Sequence, residues 1–170
     1  MVKKTSSLIA ALPLMFLGVT FLVRPAAALD AVTAKAQAEI VKVLEHIEEL
    51  NNRGEDLTKV SHMLYTDDVV VIGTHDTRAA RGINEAIEGV DVWRKTLGTA
   101  PGPKMCHHVL KEPFIASATT FASFMIDHCP GNPPVVTKDY DARLLLVWKK
   151  LPQGWRIALE MWADGDPGNL

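Results

Sequence analysis

Apolar residues recur at three- and four-residue steps between Asp30 and Asn52: Val32, Ala36, Ile40, Val43, Leu44, Ile47 and Leu50. That spacing gathers them into one stripe of an amphipathic helix. Asn51-Asn52-Arg53-Gly54 ends it, and Asp56 is placed to cap a second, short helix with Leu57, Val60 and Leu64 on its buried side. The pattern then changes. Val69-Val70-Val71-Ile72 is a β-branched run stopped by Gly73, which reads as a strand. Thr74 to Gly82 is a polar turn. Ile83 to Leu97 is a third helix with Ile83, Ile87, Val90 and Leu97 inward, and Gly98 to Pro103 is a Gly/Pro linker. From Met105 onward the chain predicts strands over about 105–112, 121–129, 138–149 and 155–163. Helices first and an antiparallel meander second make an α+β domain, with the helices packed on one face of a curved sheet.

The first 28 residues stand apart from this pattern. Lys3 and Lys4 precede an uncharged, mostly apolar run of 16 residues, Leu8 to Val23, and Pro25-Ala26-Ala27-Ala28 follows. A positive start, an apolar run and an A-x-A end predict a secretory signal cleaved after Ala28. A retained anchor is the competing reading, but the run is short of the roughly 20 apolar residues that span a bilayer, and Pro13 interrupts it. Cleavage of 28 from 170 residues leaves 142, one ordinary domain covering 29–170. The remaining chain holds 15 basic and 20 acidic residues, a net charge of −5, with no basic run. Nucleic acid and anionic membrane are therefore poor partners for it.

Three stretches resemble the nuclear transport factor 2-like superfamily, and within it the SnoaL-like and ketosteroid-isomerase-like proteins. Leu64 to Gly73, with Tyr65-Thr66-Asp67-Asp68 leading into the strand, resembles the family's first strand, and Gly82 to Ile87 the helix start that follows it. His108-Val109, with Pro113 five residues after the histidine, resembles a later strand. Gly154 to Trp162 resembles the closing strand. The resemblance covers roughly Ala31 to Ala163. It implies a cone, a bent antiparallel sheet wrapped around the N-terminal helices with a pocket in its mouth, and a homodimer. Asp141 falls where ketosteroid isomerases carry a buried acid that donates to an oxyanion. The family's general-base aspartate aligns with Gly73, and its partner tyrosine has no counterpart near His46 to Glu49. Steroid isomerisation by that mechanism is not expected.

Strand alternation has period two, so each hairpin can be put in register. With Lys150 opposite Trp155, Arg143 faces Trp162, Leu145 faces Glu160 and Asp141 faces Asp164. Asp141, Arg143, Glu160 and Trp162 then share one face, and Leu144, Leu146, Ile157, Leu159 and Met161 the other. A charged face needs pairing or solvent. It is either a site, with Arg143 holding an anionic oxygen, or an ion-pair network at the sheet's edge. In the other hairpin, a turn centred on Ser117-Ala118 puts Cys106 opposite Cys129, His107 opposite His128 and His108 opposite Asp127. The cysteines are the chain's only two. In an exported protein a directly opposed pair predicts a disulfide. The same register makes His108 and Asp127 a carboxylate-oriented base or, more plainly, a cross-strand charge pair. His107 and His128 go to the opposite face, where a metal site would lack a third ligand.

Two functions of different class follow. One is a cofactor-free dehydratase, isomerase, cyclase or hydrolase, with His108 moving the proton, Asp127 orienting it, Asp141 as a second acid and Arg143 at the oxyanion. Tyr65, Glu160 and Trp162 would line the pocket. The other is a binding or assembly domain holding an apolar or carboxylate-bearing molecule. The sequence has no Gly-rich phosphate loop, cofactor fingerprint or nucleophile elbow.

Overall fold

The computed structural model describes residues 26–73, 78–96, 106–129 and 140–164. The expected export signal, the polar turn around His75 and Asp76, and the Gly98 to Pro103 linker fall wholly or largely outside them.

Helix α1 spans Ala26–Asn52 and α2 Leu57–Leu64. Ala36, Ile40, Leu44, Ile47 and Leu50 of the predicted stripe are buried. Asp56 caps α2 as the sequence suggests, its side chain accepting from the Lys59 backbone N–H at 3.0 Å. Strand β1 runs Tyr65–Gly73, four residues earlier than the β-branched run implies. β2 is the two-residue Ala80–Arg81, inside the expected turn, and α3 is Ile83–Thr96. β3 (His107–Ala116), β4 (Thr120–Cys129), β5 (Tyr140–Leu151) and β6 (Gly154–Asp164) complete the chain.

The strands form one open sheet in the order β2-β1-β6-β5-β4-β3. The expectation of a wholly antiparallel sheet needs one correction, because β1 and β6 run parallel. β1 precedes the helical crossover and the meander returns beside it, a long-range pairing that leaves no local trace in the sequence. The helices pack on the sheet's inner face. Phe121, Leu146, Trp148 and Ile157 from the strands and Ile40 and Leu44 from α1 share the core.

Two irregularities decide which side chains face inward. In the β5–β6 hairpin, Lys150 pairs with Trp155 and Trp148 with Ile157, as expected, but Val147 then pairs with Leu159. Ala158 is the extra residue of a bulge, and beyond it the inward set on β6 moves by one position. In the β3–β4 hairpin, Ala116 pairs with Phe121, two residues further along on the β4 side than the assumed turn centre requires. Register shifts on either side of Pro113 remove the difference. A proline, which lacks a backbone N–H, is tolerated at such a place. By Leu110 the strands are in the expected register, with His107 opposite His128 and His108 opposite Asp127.

Candidate functional site

Between the helices and the inner face of the sheet lies a cavity of about 610 Å³. Leu44 and Ile47 of α1, Val60 of α2 and Ala86 of α3 give it an apolar helical side. Leu144, Met125 and Ile157 give it an apolar sheet side. Into this lining project Tyr65, His108, Asp127, Glu160 and Trp162.

His108 and Asp127 are directly opposed on β3 and β4, and the imidazole Nδ1 lies 2.7 Å from Asp127 Oδ1. Both side chains are mostly withdrawn from solvent, 14% and 15% exposed. Burial pushes the imidazole's pKa down. The hydrogen bond and charge of Asp127, with the charges of Glu48 and Glu160 further off, outweigh that and hold it above its ordinary value. With the carboxylate at Nδ1, the ring's Nε2 is left as the nitrogen available to a bound molecule.

Glu160 follows the Ala158 bulge, and the bulge turns it inward. It is a buried carboxyl, and the Tyr65 hydroxyl donates to its Oε2 at 2.8 Å. Burial raises its pKa to about 7, and the nearby charge of Asp127 adds to the rise. The Tyr65 hydrogen bond and the His108 charge oppose it. Glu160 thus holds its proton well above the ordinary carboxylate range, and it sits within electrostatic reach of the His108–Asp127 pair.

The predicted grouping of Asp141 and Arg143 with Glu160 and Trp162 does not hold. Ala142 and Leu144 are the inward residues of β5, and the bulge puts Trp162 opposite Leu144 and Ala163 opposite Arg143. Asp141 and Arg143 therefore lie on the outer face, as do Leu159 and Met161. Backbone pairing sets Asp164 opposite Ala142 rather than Asp141. On that outer face Asp141 bonds His128 Nδ1, also at 2.7 Å, but the histidine side chain there is 50% exposed. Among the described residues, two His–Asp pairs thus share this length, one inside the cavity and one half-exposed on the outer face. Asp141 is thus not a buried acid of the cavity; the buried carboxyl there is Glu160.

Cys106 and Cys129 form a disulfide, as the register predicts, and Cys106 lines the cavity. A disulfide fits an oxidising compartment. Among the described residues no group of three or more His, Cys, Asp or Glu is arranged to hold a metal ion.

Arg78 and Glu85 at the cavity rim were missed from the sequence. Glu85 accepts from Arg78 Nη1 at 2.8 Å and from the Arg81 backbone N–H at 2.9 Å. An acidic residue in the first turn of α3, a few positions after two arginines, is the signal that would have found them.

No family model matches the sequence, and no curated protein matches it. Solved structures do resemble it. A ketosteroid isomerase-like protein from Erwinia carotovora is 22% identical, with a TM-score of 0.55 over 81% of this chain and 96% of that one. A scytalone dehydratase-like protein from Novosphingobium aromaticivorans has a TM-score of 0.63 at 8% identity, over 81% and 89%. A nuclear transport factor 2-like superfamily protein from Salmonella enterica is 16% identical, with a TM-score of 0.52 over 81% and 96%.

Proposed function

We propose that this chain, whose fold is that of the nuclear transport factor 2-like superfamily, is an exported acid–base enzyme working without a cofactor, a lyase or isomerase of a small neutral molecule. Fold alone does not select an activity. The observation that carries the reading is one mostly apolar cavity holding two hydrogen-bonded ionisable pairs, His108–Asp127 and Tyr65–Glu160. Ionisable groups whose proton affinity is shifted by burial and a specific partner inside a cleft mark a candidate site of proton transfer.

His108 is the base that removes a proton from carbon or oxygen, and Asp127 steadies the imidazolium that results. Glu160, protonated, donates a hydrogen bond or a proton to the oxygen where charge develops, with Tyr65 holding its carboxyl. Trp162 is an apolar wall. With Arg143 outside and Arg78 at the rim engaged by Glu85, the inner polar groups of the cavity are Tyr65, His108, Asp127 and Glu160, with no unpaired cation among them. The expected carboxylate-bearing ligand is therefore less suitable than a molecule with an apolar body and a carbonyl or hydroxyl. The signal-like first 28 residues and the disulfide support export to the periplasm or beyond.

The test is deuterium exchange. The mature chain is incubated in deuterium oxide with a panel of cyclic ketones and β-hydroxy ketones, and loss of α-proton signals is followed by NMR. Exchange or dehydration that vanishes in both His108→Ala and Glu160→Gln supports the enzyme. Binding of a panel member with no exchange or turnover points instead to a ligand-binding domain of the same fold.

A further inference from the structure

Among the described residues, β3 is an edge strand, paired on one side only. The part of it that carries His108 is held to β4 by four consecutive pairs, His107–His128 to Leu110–Met125. The ladder beyond Leu110 is then broken by the irregularities around Pro113. An edge segment with so few pairs opens easily. Two residues before His108, and on the same face, lies Cys106. Two residues after Asp127, again on the same face, lies Cys129. The disulfide joins the two strands one pair beyond His107–His128, on the cavity side, and both half-cystines are buried. The Cys129 sulfur lies 3.7 Å from the backbone oxygen of Asp127. His108 is thus bounded by a covalent clasp on one side and a broken ladder on the other.

We propose that the Cys106–Cys129 disulfide is a positioning element for the His108–Asp127 pair, so that the cavity's proton-transfer dyad is assembled only in the oxidised chain. The geometric claim stands by itself; its meaning for activity rests on the function proposed above. A dithiol reductant supplies two electrons and two protons. The S–S bond breaks, two thiols form, and the reductant closes to its own disulfide. The His107–Leu110 segment is then held to β4 by its four pairs alone, which open more readily without the clasp, and the imidazole drifts from Asp127. The dyad would therefore form after export and stay unformed in a reducing cytoplasm.

The outer pair supplies an internal control. His128 is the neighbour of Cys129 in sequence, but its partner Asp141 is held by the unbroken β4–β5 ladder. The experiment follows both imidazoles by NMR through a pH titration of the mature chain, in oxidised form, with dithiothreitol, and as the Cys106→Ser/Cys129→Ser variant. Groups that bear on His108 are Asp127 from β4, Glu160 from β6 and Glu48 from α1. The expected result is a fall of about one pH unit in the His108 midpoint, the scale of losing a carboxylate partner, with the His128 midpoint unmoved. Two results overturn the proposal. In one, His108 keeps its midpoint in both forms that lack the disulfide. Alternatively both histidines shift together or the chain unfolds, and the disulfide is then a general staple. No substrate enters the measurement, so its outcome is independent of the deuterium-exchange test.

Discussion

Replacing Glu160 by glutamine should change how stability depends on pH more than it changes stability at any one pH. The glutamine keeps the shape and still accepts from Tyr65, but cannot ionise. In the folded chain the Glu160 carboxyl is raised from its ordinary 4.5 to about 7. A raised pKa means that the unfolded chain gives up this proton first as pH rises. The folded state loses stability between about 4.5 and 7, and the loss levels off above that. At about 1.36 kcal/mol for each pH unit, the span amounts to roughly 3 kcal/mol. Urea denaturation at pH 5, 6, 7 and 8 would measure it, with the disulfide kept oxidised. The stability of Glu160→Gln minus that of the wild type should grow across this range by about 2–3 kcal/mol and then flatten. Taking the difference cancels the other carboxylates and isolates Glu160 with its coupling to His108 and Asp127. A difference that stays constant with pH would falsify the placement of Glu160 as a buried acid.

Other consequences can be checked more briefly. Arg143→Ala and Asp141→Asn, both on the outer face, should leave ligand affinity and any turnover within about twofold of wild type, whereas Trp162→Ala should weaken binding at least tenfold, about 1.4 kcal/mol; calorimetry with a bound ligand compares them. Phe121 is fully buried in the core, so Phe121→Ala should cost about 3–5 kcal/mol in urea denaturation. Gly154 closes the β5–β6 turn at φ 115°. Gly154→Ala should cost about 1–2 kcal/mol through backbone strain, since a Cβ there meets only ordinary contact with Arg156. Loss of the cap in Asp56→Ala should lower stability by about 1 kcal/mol, visible as a fall in Tm.

The α1 stripe from Ala36 to Leu50 was legible because helical burial repeats every three or four residues and nothing interrupts it. The His108–Asp127 pair and the disulfide were legible for a less secure reason. The assumed turn centre was wrong, and the shifts around Pro113 cancelled the error before the strands reached Leu110. The β6 face was misread because Trp155, Ile157, Leu159 and Met161 alternate without a break. Simple alternation places those four together and Glu160 with Asp141. The bulge at Ala158 has no glycine or proline to announce it, and it seats a carboxyl where an apolar side chain would be expected. The cost of burying that carboxyl is the feature that marks the site, and periodicity alone could not reveal it. β2 went unseen because two residues carry no pattern, and the parallel β1–β6 pairing because it joins segments far apart in the chain.

Glu160 and the His108–Asp127 pair feel one another inside a single, mostly apolar cavity. Carbon-13 NMR of the glutamate side-chain carboxyls, titrated in the wild type, Asp127→Asn and His108→Ala, addresses it directly. Glu160 should titrate near 7, lower without the Asp127 charge and higher without the His108 charge. A Glu160 midpoint near the ordinary 4.5, or one indifferent to both substitutions, would contradict the account.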